Sequence, residues 1–461
     1  MKTIYFLFVF YFLCIAYLPA QEYSITVNFT NLKNVNVYLG YHYGDKTFLI
    51  DTVRVSENGD AIFKGEKQLH KGIYFIALPS FSYFDFLIDD KQNFSIYTDT
   101  TNFIDNLKFE NSEINSDYIE YQKVILNKYS KIQNYNSKLK SVVNKDSIGL
   151  YQNIINQLYT EINQYRYSVI QKNKNNILGK LIQAMLQPGV PEEIRSSYNN
   201  QLINNYLKEH FFDNYDFSEP GLLYSSILNN KMYTFFKQIV EPEPEIITKE
   251  AIKLIEKSKV NEETYRFVLS YLISLFEATG NYPVEKAFVE IAEKYFLNSN
   301  EEWISDNLKK QLQTRVETIK PLMIGKVAPD MLLNDMEDQE VWLHQINHEI
   351  IVLYFYDIEC GHCAYYTPLF HDICKKMQNY NIGFVAIYTE NDFDAWKEYV
   401  ETNEFTDWYN LYDAIGNEDI VNKYDIFKTP RVYILDKSHR IIAKDIEIEV
   451  LDKYLDSLFN R

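Results

Sequence analysis

The spacing of hydrophobic and polar residues divides the chain into three regions. Over residues 22–112 apolar and polar residues alternate, as in TFLIDTVRV (47–55). This period of two predicts half-buried β-strands, and Asn58-Gly59 between two such stretches predicts a hairpin. We therefore predict a small β-sandwich or barrel here, with no cluster of titratable residues suited to catalysis.

The period changes over residues 113–320, where apolar residues recur every three to four positions. One predicted helix carries an apolar face of Leu150, Ile154, Leu158, Ile162, Tyr165 and Val169. Another is predicted to begin after Asn261 as its N-cap and to stop at Gly280. The run EPEPE (241–245) predicts an exposed connector, because proline interrupts a helix. These patterns indicate an all-α region.

From residue 322 to the end, strand and helix patterns alternate. The run IIVLYFY (350–356) is apolar without alternation, which is typical of a central strand covered on both faces. A helix is predicted from Gly361, with further strands at 382–388, 431–435 and 440–446 and further helices at 393–401 and 450–459. This order predicts an α/β domain.

The first 20 residues have the layout of a secretory signal peptide, with Lys2, an apolar run from Ile4 to Leu18, and Ala20 before polar sequence. The run is shorter than the roughly 20 residues of a spanning helix, which favours cleavage over retention as an anchor. Cys14 does not indicate a lipoprotein, because the apolar run continues beyond it. We predict export to the periplasm or cell envelope, with an uncleaved N-terminal anchor as the alternative.

Charge and cysteine content limit the classes of binding partner and of fold. The chain has 461 residues, 46 of them basic and 64 acidic, for a formal charge of -18. This acidity argues against nucleic acid or an anionic membrane as a partner. After the signal peptide three cysteines remain, Cys360, Cys363 and Cys374, whereas a disulfide-stapled fold needs a larger and even number.

Cys360 and Cys363 lie where the central strand leads into a helix. The helix N-terminus favours a thiolate on Cys360, and a protonated His362 would favour it further, while Glu359 opposes it. The two intervening residues allow a disulfide across the first helical turn. Cys360 would then attack a partner's disulfide and Cys363 would resolve the mixed disulfide. A purely structural disulfide stays open as an alternative.

A metal site is the other alternative, because His371 and Cys374 lie three residues apart on the same predicted helix. Cys374 is roughly 16 Å from Cys363 along a continuous helix, which is too far for shared coordination or a disulfide. The separation is also about three turns, so Cys374 is predicted to be a buried free thiol on the face of Cys363. No metal is predicted.

Residues 322–461 resemble the thioredoxin-fold domains of the TlpA/ResA family, which are extracytoplasmic thiol:disulfide oxidoreductases. The resemblance rests on IGKVAPD (324–330), the CGHC pair, Pro368 and KYDIFKTPRVYILDKSHRI (423–441). It implies that Thr429-Pro430 is the cis-proline dipeptide that faces the cysteines and helps hold the substrate chain. The two upstream regions resemble uncharacterised domains often found ahead of TlpA-like domains in Gram-negative envelope proteins.

Two positions depart from the thioredoxin pattern. The aspartate expected six residues before the first cysteine is Tyr354, and the aromatic residue expected just before it is Glu359. Asp357 or Glu359 is a hypothetical replacement in proton handling. Peroxiredoxins share a similar entry, but the Pro and the Thr or Ser that their chemistry needs are Leu353 and Asp357 here.

The sequence thus predicts a multidomain protein with a signal peptide at 1–20, a β-rich accessory domain at 22–112, a helical accessory domain at 113–320 and a thioredoxin-like domain at 322–461. The predicted catalytic residues are Cys360, Cys363 and His362, and the predicted substrate-binding residues are Thr429 and Pro430. Protein thiols and disulfides and a membrane-linked redox partner are the predicted partners, without nucleic acid or a small-molecule cofactor. The reductase direction is favoured. The alternative is a non-enzymatic envelope binding or assembly protein whose CGHC disulfide is structural.

Overall fold

The structure is a computed structural model that describes residues 22–279, 283–414, 416 and 419–459. The predicted signal peptide with Cys14, and the predicted helix stop at Gly280, lie outside these residues. The chain divides into two compact units. The first extends to Ile239 and includes Lys257–Phe267, and the second comprises Val240–Glu256 and the chain from Val268 onward. The division into three domains after the signal peptide stays a prediction.

Strands build the N-terminal part of the first unit. They are β1 (Tyr23–Phe29), β2 (Asn36–Tyr43), β3 (Lys46–Arg54), β4 (Asp60–Gly65), β5 (Gly72–Ala77), β6 (Tyr83–Ile88), β7 (Asn93–Thr98) and β8 (Lys108–Glu110), with a short helix α1 (Phe103–Asn106) before β8. Two four-stranded sheets result, in the orders β4-β1-β7-β8 and β3-β2-β5-β6. Alternate residues are buried in β1, β4 and β7, whereas β3 is mostly exposed, with Leu49 64% exposed, so the half-burial predicted for 47–55 is wrong there. The rings of Phe86 and Phe94, whose centres are 5.9 Å apart, join the two sheets.

The turn at Asn58-Gly59 is formed, with Gly59 at a φ of 90° and the Ser56 N–H donating to the Asp60 carbonyl over 2.9 Å. It does not close a hairpin, because β4 pairs with β1 in one sheet while β3 pairs with β2 in the other. The hairpin prediction is therefore wrong. Pairing of β4 with β1 and of β3 with β2 along their full lengths takes the place of local pairing between β3 and β4. The turn therefore connects the two sheets.

Helices follow as α2 (Glu113–Ser141), α3 (Lys145–Lys172), α4 (Ile177–Ala184), α5 (Glu192–Arg195), α6 (Asn200–His210), α7 (Ile227–Thr234), α8 (Pro244–Ser258), α9 (Glu262–Thr279), α10 (Glu285–Ile291) and α11 (Asp306–Ile319). Asn261 caps α9 as predicted, its side chain accepting the Thr264 N–H over 3.0 Å. On α3 the predicted face is buried at Leu158, Ile162 and Val169. Leu150 is 57% exposed, because it lies at the loop end of the α2–α3 pair, before the first buried residue of α3.

The second unit ends in an α/β domain. Its strands are β9 (Leu332–Asn334), β10 (Glu340–Trp342), β11 (Ile350–Tyr356), β12 (Ile382–Tyr388), β13 (Tyr409–Tyr412), β14 (Arg431–Asp436) and β15 (Ile441–Lys444), and its helices are α12 (Gly361–Lys376), α13 (Phe393–Thr402), α14 (Ile420–Lys423) and α15 (Ile448–Phe459). The sheet order is β10-β9-β13-β12-β11-β14-β15. The β-rich start, helical middle and C-terminal α/β domain confirm the predicted fold class.

Strand β11 is buried on both faces, as predicted. Tyr354 and Tyr356 belong to one apolar core with α12, α13 and α15, while Leu353 and Phe355 belong to a second core on the other face. Each fully buried apolar side chain of this kind stabilises the fold by about 1.5–3 kcal/mol. The two cores therefore fix the end of β11 from which the cysteine pair projects. Among the described helices, none combines the length and apolarity needed to cross a membrane.

Candidate functional site

The loop between β11 and α12 places Cys360 at the N-cap of α12. Two hydrogen bonds to Asp357 order this loop. The Glu359 N–H donates to the Asp357 carboxylate over 2.9 Å, and the Cys360 N–H donates to the Asp357 carbonyl over 3.3 Å. Cys363 lies in the first turn of α12. The structure thus brings the two cysteines to the junction that the sequence predicts.

The two thiols differ in exposure and in acidity. Cys360 is partly exposed, whereas Cys363 is 1% exposed. Burial raises the pKa of Cys363 to about 12. Burial also acts to raise the pKa of Cys360, but the Thr429 side chain, the Cys363 N–H and thiol, and the His362 N–H outweigh it and leave this pKa below its ordinary value. Near neutral pH the exposed sulfur is therefore the better nucleophile.

The segment before β14 faces the pair. The Thr429-Pro430 peptide bond is cis, as the resemblance implies. The Cys360 thiol donates to the Thr429 carbonyl over 3.3 Å. The Thr429 side chain also favours the thiolate form of both cysteines. Thr429 therefore contacts Cys360 through its backbone carbonyl, and its side chain acts on the pKa of both cysteines, an effect that sequence reasoning missed.

The His362 side chain is exposed, and its backbone N–H is the part that lowers the pKa of Cys360. Its imidazole lines a groove of about 440 Å³ together with Thr429 and Pro430. Tyr366 and Glu449 form another part of the wall and are joined by a hydrogen bond of 2.8 Å. Three of the predicted site residues, His362, Thr429 and Pro430, therefore line one open groove, and Cys360 adjoins it through its contact with the Thr429 carbonyl.

Tyr354 occupies the position of the missing aspartate. It is fully buried, and its hydroxyl shares a hydrogen bond of 2.9 Å with the Thr367 hydroxyl. Burial raises the pKa of Tyr354, so this group does not take a proton from Cys363 as a carboxylate would. The backbone of Asp357 acts to lower the pKa of Cys363. A proton-handling role for the Asp357 or Glu359 carboxylate stays a hypothesis.

His371 and Cys374 both contact Asp407 rather than the cysteine pair. His371 Nε2 and the Asp407 carboxylate are 2.8 Å apart, and the Cys374 thiol donates to the Asp407 carbonyl over 3.3 Å. Burial raises the pKa of Cys374 to about 12. Cys374 is thus a buried free thiol, as predicted. Within the described ranges no three His, Cys, Asp or Glu side chains are placed to hold a metal ion.

Replacing Thr429 by valine is expected to raise the pKa of Cys360, because the hydroxyl that favours its thiolate is lost while the backbone is kept. The pH dependence of iodoacetamide alkylation of Cys360 in the reduced protein measures this pKa. The curve should move to higher pH, so that less Cys360 reacts at a given pH below its pKa. Thr402→Val, on the exposed end of α13, is the control and should leave the curve in place. A shift to lower pH in Thr429→Val would contradict the assignment.

Comparisons with known proteins agree with this geometry. A thioredoxin-like family model matches residues 347–441, and a domain of unknown function (DUF5106) matches residues 162–321. A thiol-disulfide oxidoreductase ResA of Bacillus cereus is 22% identical over 143 residues, which are 30% of this chain and 79% of the relative. ResA of Bacillus anthracis is 21% identical over 143 residues, with the same coverage of 30% and 79%.

Solved structures give matches of the same kind. A thioredoxin-like protein from Bacteroides caccae is 18% identical and matches with a TM-score of 0.49 over 60% of this chain and 99% of its own. A domain of a possible thiol-disulfide isomerase from Cytophaga hutchinsonii is 32% identical, with a TM-score of 0.29 over 31% of this chain and 99% of its own. Residues 347–441 therefore form a thioredoxin-like domain, and the C-terminal part of the chain is similar to thiol-disulfide oxidoreductases of the ResA kind.

Proposed function

We propose that this chain is an extracytoplasmic reductase of protein disulfides that works through Cys360 and Cys363. The observation that carries the proposal is the asymmetry of the pair. A partly exposed thiol of lowered pKa faces the Thr429 carbonyl, and a buried thiol of raised pKa lies behind it in the same helical turn. This is the arrangement that a nucleophile and a resolving thiol require.

In the proposed reaction the Cys360 thiolate attacks one sulfur of a substrate disulfide, and the other substrate sulfur leaves as a thiolate. Cys363 then loses its proton and attacks the Cys360 sulfur, which releases the second substrate thiol. The substrate gains two electrons and the Cys360–Cys363 pair loses two. A thiol partner linked to the membrane returns the pair to its reduced form.

Thr429 and Pro430 hold the substrate chain in this proposal. Both line the groove together with His362, whose backbone N–H tunes the pair by lowering the pKa of Cys360. An extended substrate segment would place its disulfide against the Cys360 sulfur. The layout of residues 1–20 supports a periplasmic or envelope location for this chemistry.

The midpoint potential of the Cys360–Cys363 couple tests the proposal. We expect a reversible two-electron couple nearer to thioredoxin, at about −270 mV, than to protein disulfide isomerase, at about −180 mV. Thiol labelling and mass spectrometry of the folded protein across a dithiothreitol or glutathione series measure it. A potential at the isomerase end would assign oxidation or isomerisation instead. A disulfide that is reduced only when the protein unfolds would make the pair structural and favour a binding or assembly role.

A further inference from the structure

Six buried charged side chains form a group of four and a separate pair in the second unit, beside the cis-proline segment. The group of four is Arg315 of α11, Asp425, Arg431 and Asp445, and the pair is Glu285 of α10 and Lys444. Every one of these side chains is at most 13% exposed. Three cations and three anions balance each other, so each charge has a partner of opposite sign among the six.

Asp425 is the centre of the group of four. Its carboxylate receives both terminal guanidinium nitrogens of Arg315, one of them over 3.1 Å, and is 3.4 Å from Arg431. Arg431 is shared, because its guanidinium also bonds Asp445 over 3.1 Å. Without Arg315, the buried Asp425 would therefore depend on a cation that is already committed to a second carboxylate.

Asp425 and Arg431 bracket the segment that faces the cysteines. Arg431 donates to the backbone carbonyl of Asp425 as well as to its side chain, which ties the two ends of residues 425–431 together. Asp425 has a φ of 57°, a left-handed conformation that a non-glycine residue keeps only when its surroundings hold it there. The hydrogen bonds from Arg315 and Arg431 keep Asp425 in this conformation.

Arg315 touches the same segment at a second point. Its guanidinium carbon lies 4.8 Å from the centre of the Phe427 ring, two residues before Thr429. Phe427 is 74% exposed, so few other contacts fix its position. A single side chain of α11 therefore holds both Asp425 and Phe427.

We propose that Arg315 is a positioning residue for substrate docking, which it serves by fixing, through Asp425 and Phe427, the segment that carries Thr429 and Pro430. Arg315 lies outside residues 347–441, which match the thioredoxin-like family, and inside residues 162–321, which match the domain of unknown function. The inference rests on the proposed function and gives this helical segment a part in it. The helical segment completes the substrate-binding edge of the redox site.

Steady-state reduction of insulin disulfides by the full-length protein, with dithiothreitol as the reductant, tests this role. For Arg315→Gln we expect KM for insulin to rise about fivefold with kcat changed less than about twofold, because loosened docking weakens binding before it alters the sulfur chemistry. Lys320→Gln removes a cation just after α11 that pairs with Glu293 over 2.7 Å in a solvent-exposed position. This control should keep the wild-type KM.

Arg315→Lys is a second test, because it keeps the positive charge beside Asp425 but loses the bidentate hydrogen bond to its carboxylate. It should raise KM less than Arg315→Gln does, and it serves as the test if Arg315→Gln fails to fold. A fall in melting temperature with KM unchanged in the folded variants would show a merely structural role and overturn the inference. If the wild-type protein has no reversible Cys360–Cys363 couple, the proposed function and this inference are both overturned. If Arg315→Gln and Arg315→Lys both show normal exchange with a normal KM, this inference alone is overturned.

Discussion

Replacement of Cys360 by serine is expected to lower the rate of insulin disulfide reduction by at least about a thousandfold, because a serine hydroxyl is not ionised near neutral pH and cannot form the mixed disulfide. The melting temperature of the reduced protein should change little. Cys360 lies at the start of α12 and is partly exposed, so the exchange of sulfur for oxygen removes little packing. Activity and stability should therefore separate in this variant.

Cys374→Ser is the matched control on the same helix. Cys374 is buried and bonds the Asp407 carbonyl, outside the cysteine pair, so exchange should stay at the wild-type rate. If Cys360→Ser keeps exchange activity, the assignment of the nucleophile is wrong. If, in addition, the variant melts well below the oxidised wild-type protein, the pair acts as a structural clip, since a clip stabilises mainly by constraining the unfolded chain.

Replacement of Lys444 by methionine is expected to have the largest effect on folding. Lys444 is 1% exposed and pairs with Glu285, which is 6% exposed, and it also donates to the Leu322 carbonyl over 2.8 Å. Losing one member of a buried pair leaves an uncompensated charge, which costs about 3–5 kcal/mol. Urea denaturation monitored by circular dichroism measures this loss. Lys376→Met, which breaks an exposed pair with Asp452, should cost about 1 kcal/mol or less.

The same variant should show a characteristic pH dependence. Burial raises the pKa of Glu285, and Lys444 acts to lower it. Without Lys444 the pKa of Glu285 should rise further. At pH values between the unfolded and the folded pKa of Glu285, this residue then takes up a proton when the chain folds. Stability then falls as pH rises through that interval, and the deficit is smallest at pH values below the ordinary pKa of glutamate. Lys444→Met/Glu285→Leu should recover much of the loss, and an equal deficit in the single and double variants would contradict the pairing argument.

The C-terminal domain was the most predictable part of the fold. The predicted strand at 382–388 has the same bounds as β12, and the predicted helix at 393–401 is one residue shorter than α13. Strands covered on both faces need continuous apolar runs, and such runs carry a clear signal in a single sequence. The cysteine pair was equally visible, because its two members lie in one helical turn.

Long-range partners were not predictable in this way. The hairpin at Asn58-Gly59 failed because pairing with β1 and β2 depends on segments elsewhere in the chain. Arg315 and Asp425 are 110 residues apart, and a pair of charged residues leaves no periodic trace. The one available signal was Arg431, a cation at the start of an otherwise apolar strand, which implies a buried counter-ion without naming it.

The burial of Cys374 affects how readily this protein is oxidised. A thiol whose pKa is raised to about 12 holds almost no thiolate at neutral pH, and oxidation to sulfenic acid and covalent coupling between chains both begin from the thiolate. Of the three cysteines that the structure describes, the unpaired one is therefore shielded from becoming a cross-link. An odd number of thiols can then persist in one chain without intermolecular disulfide dimers forming through Cys374.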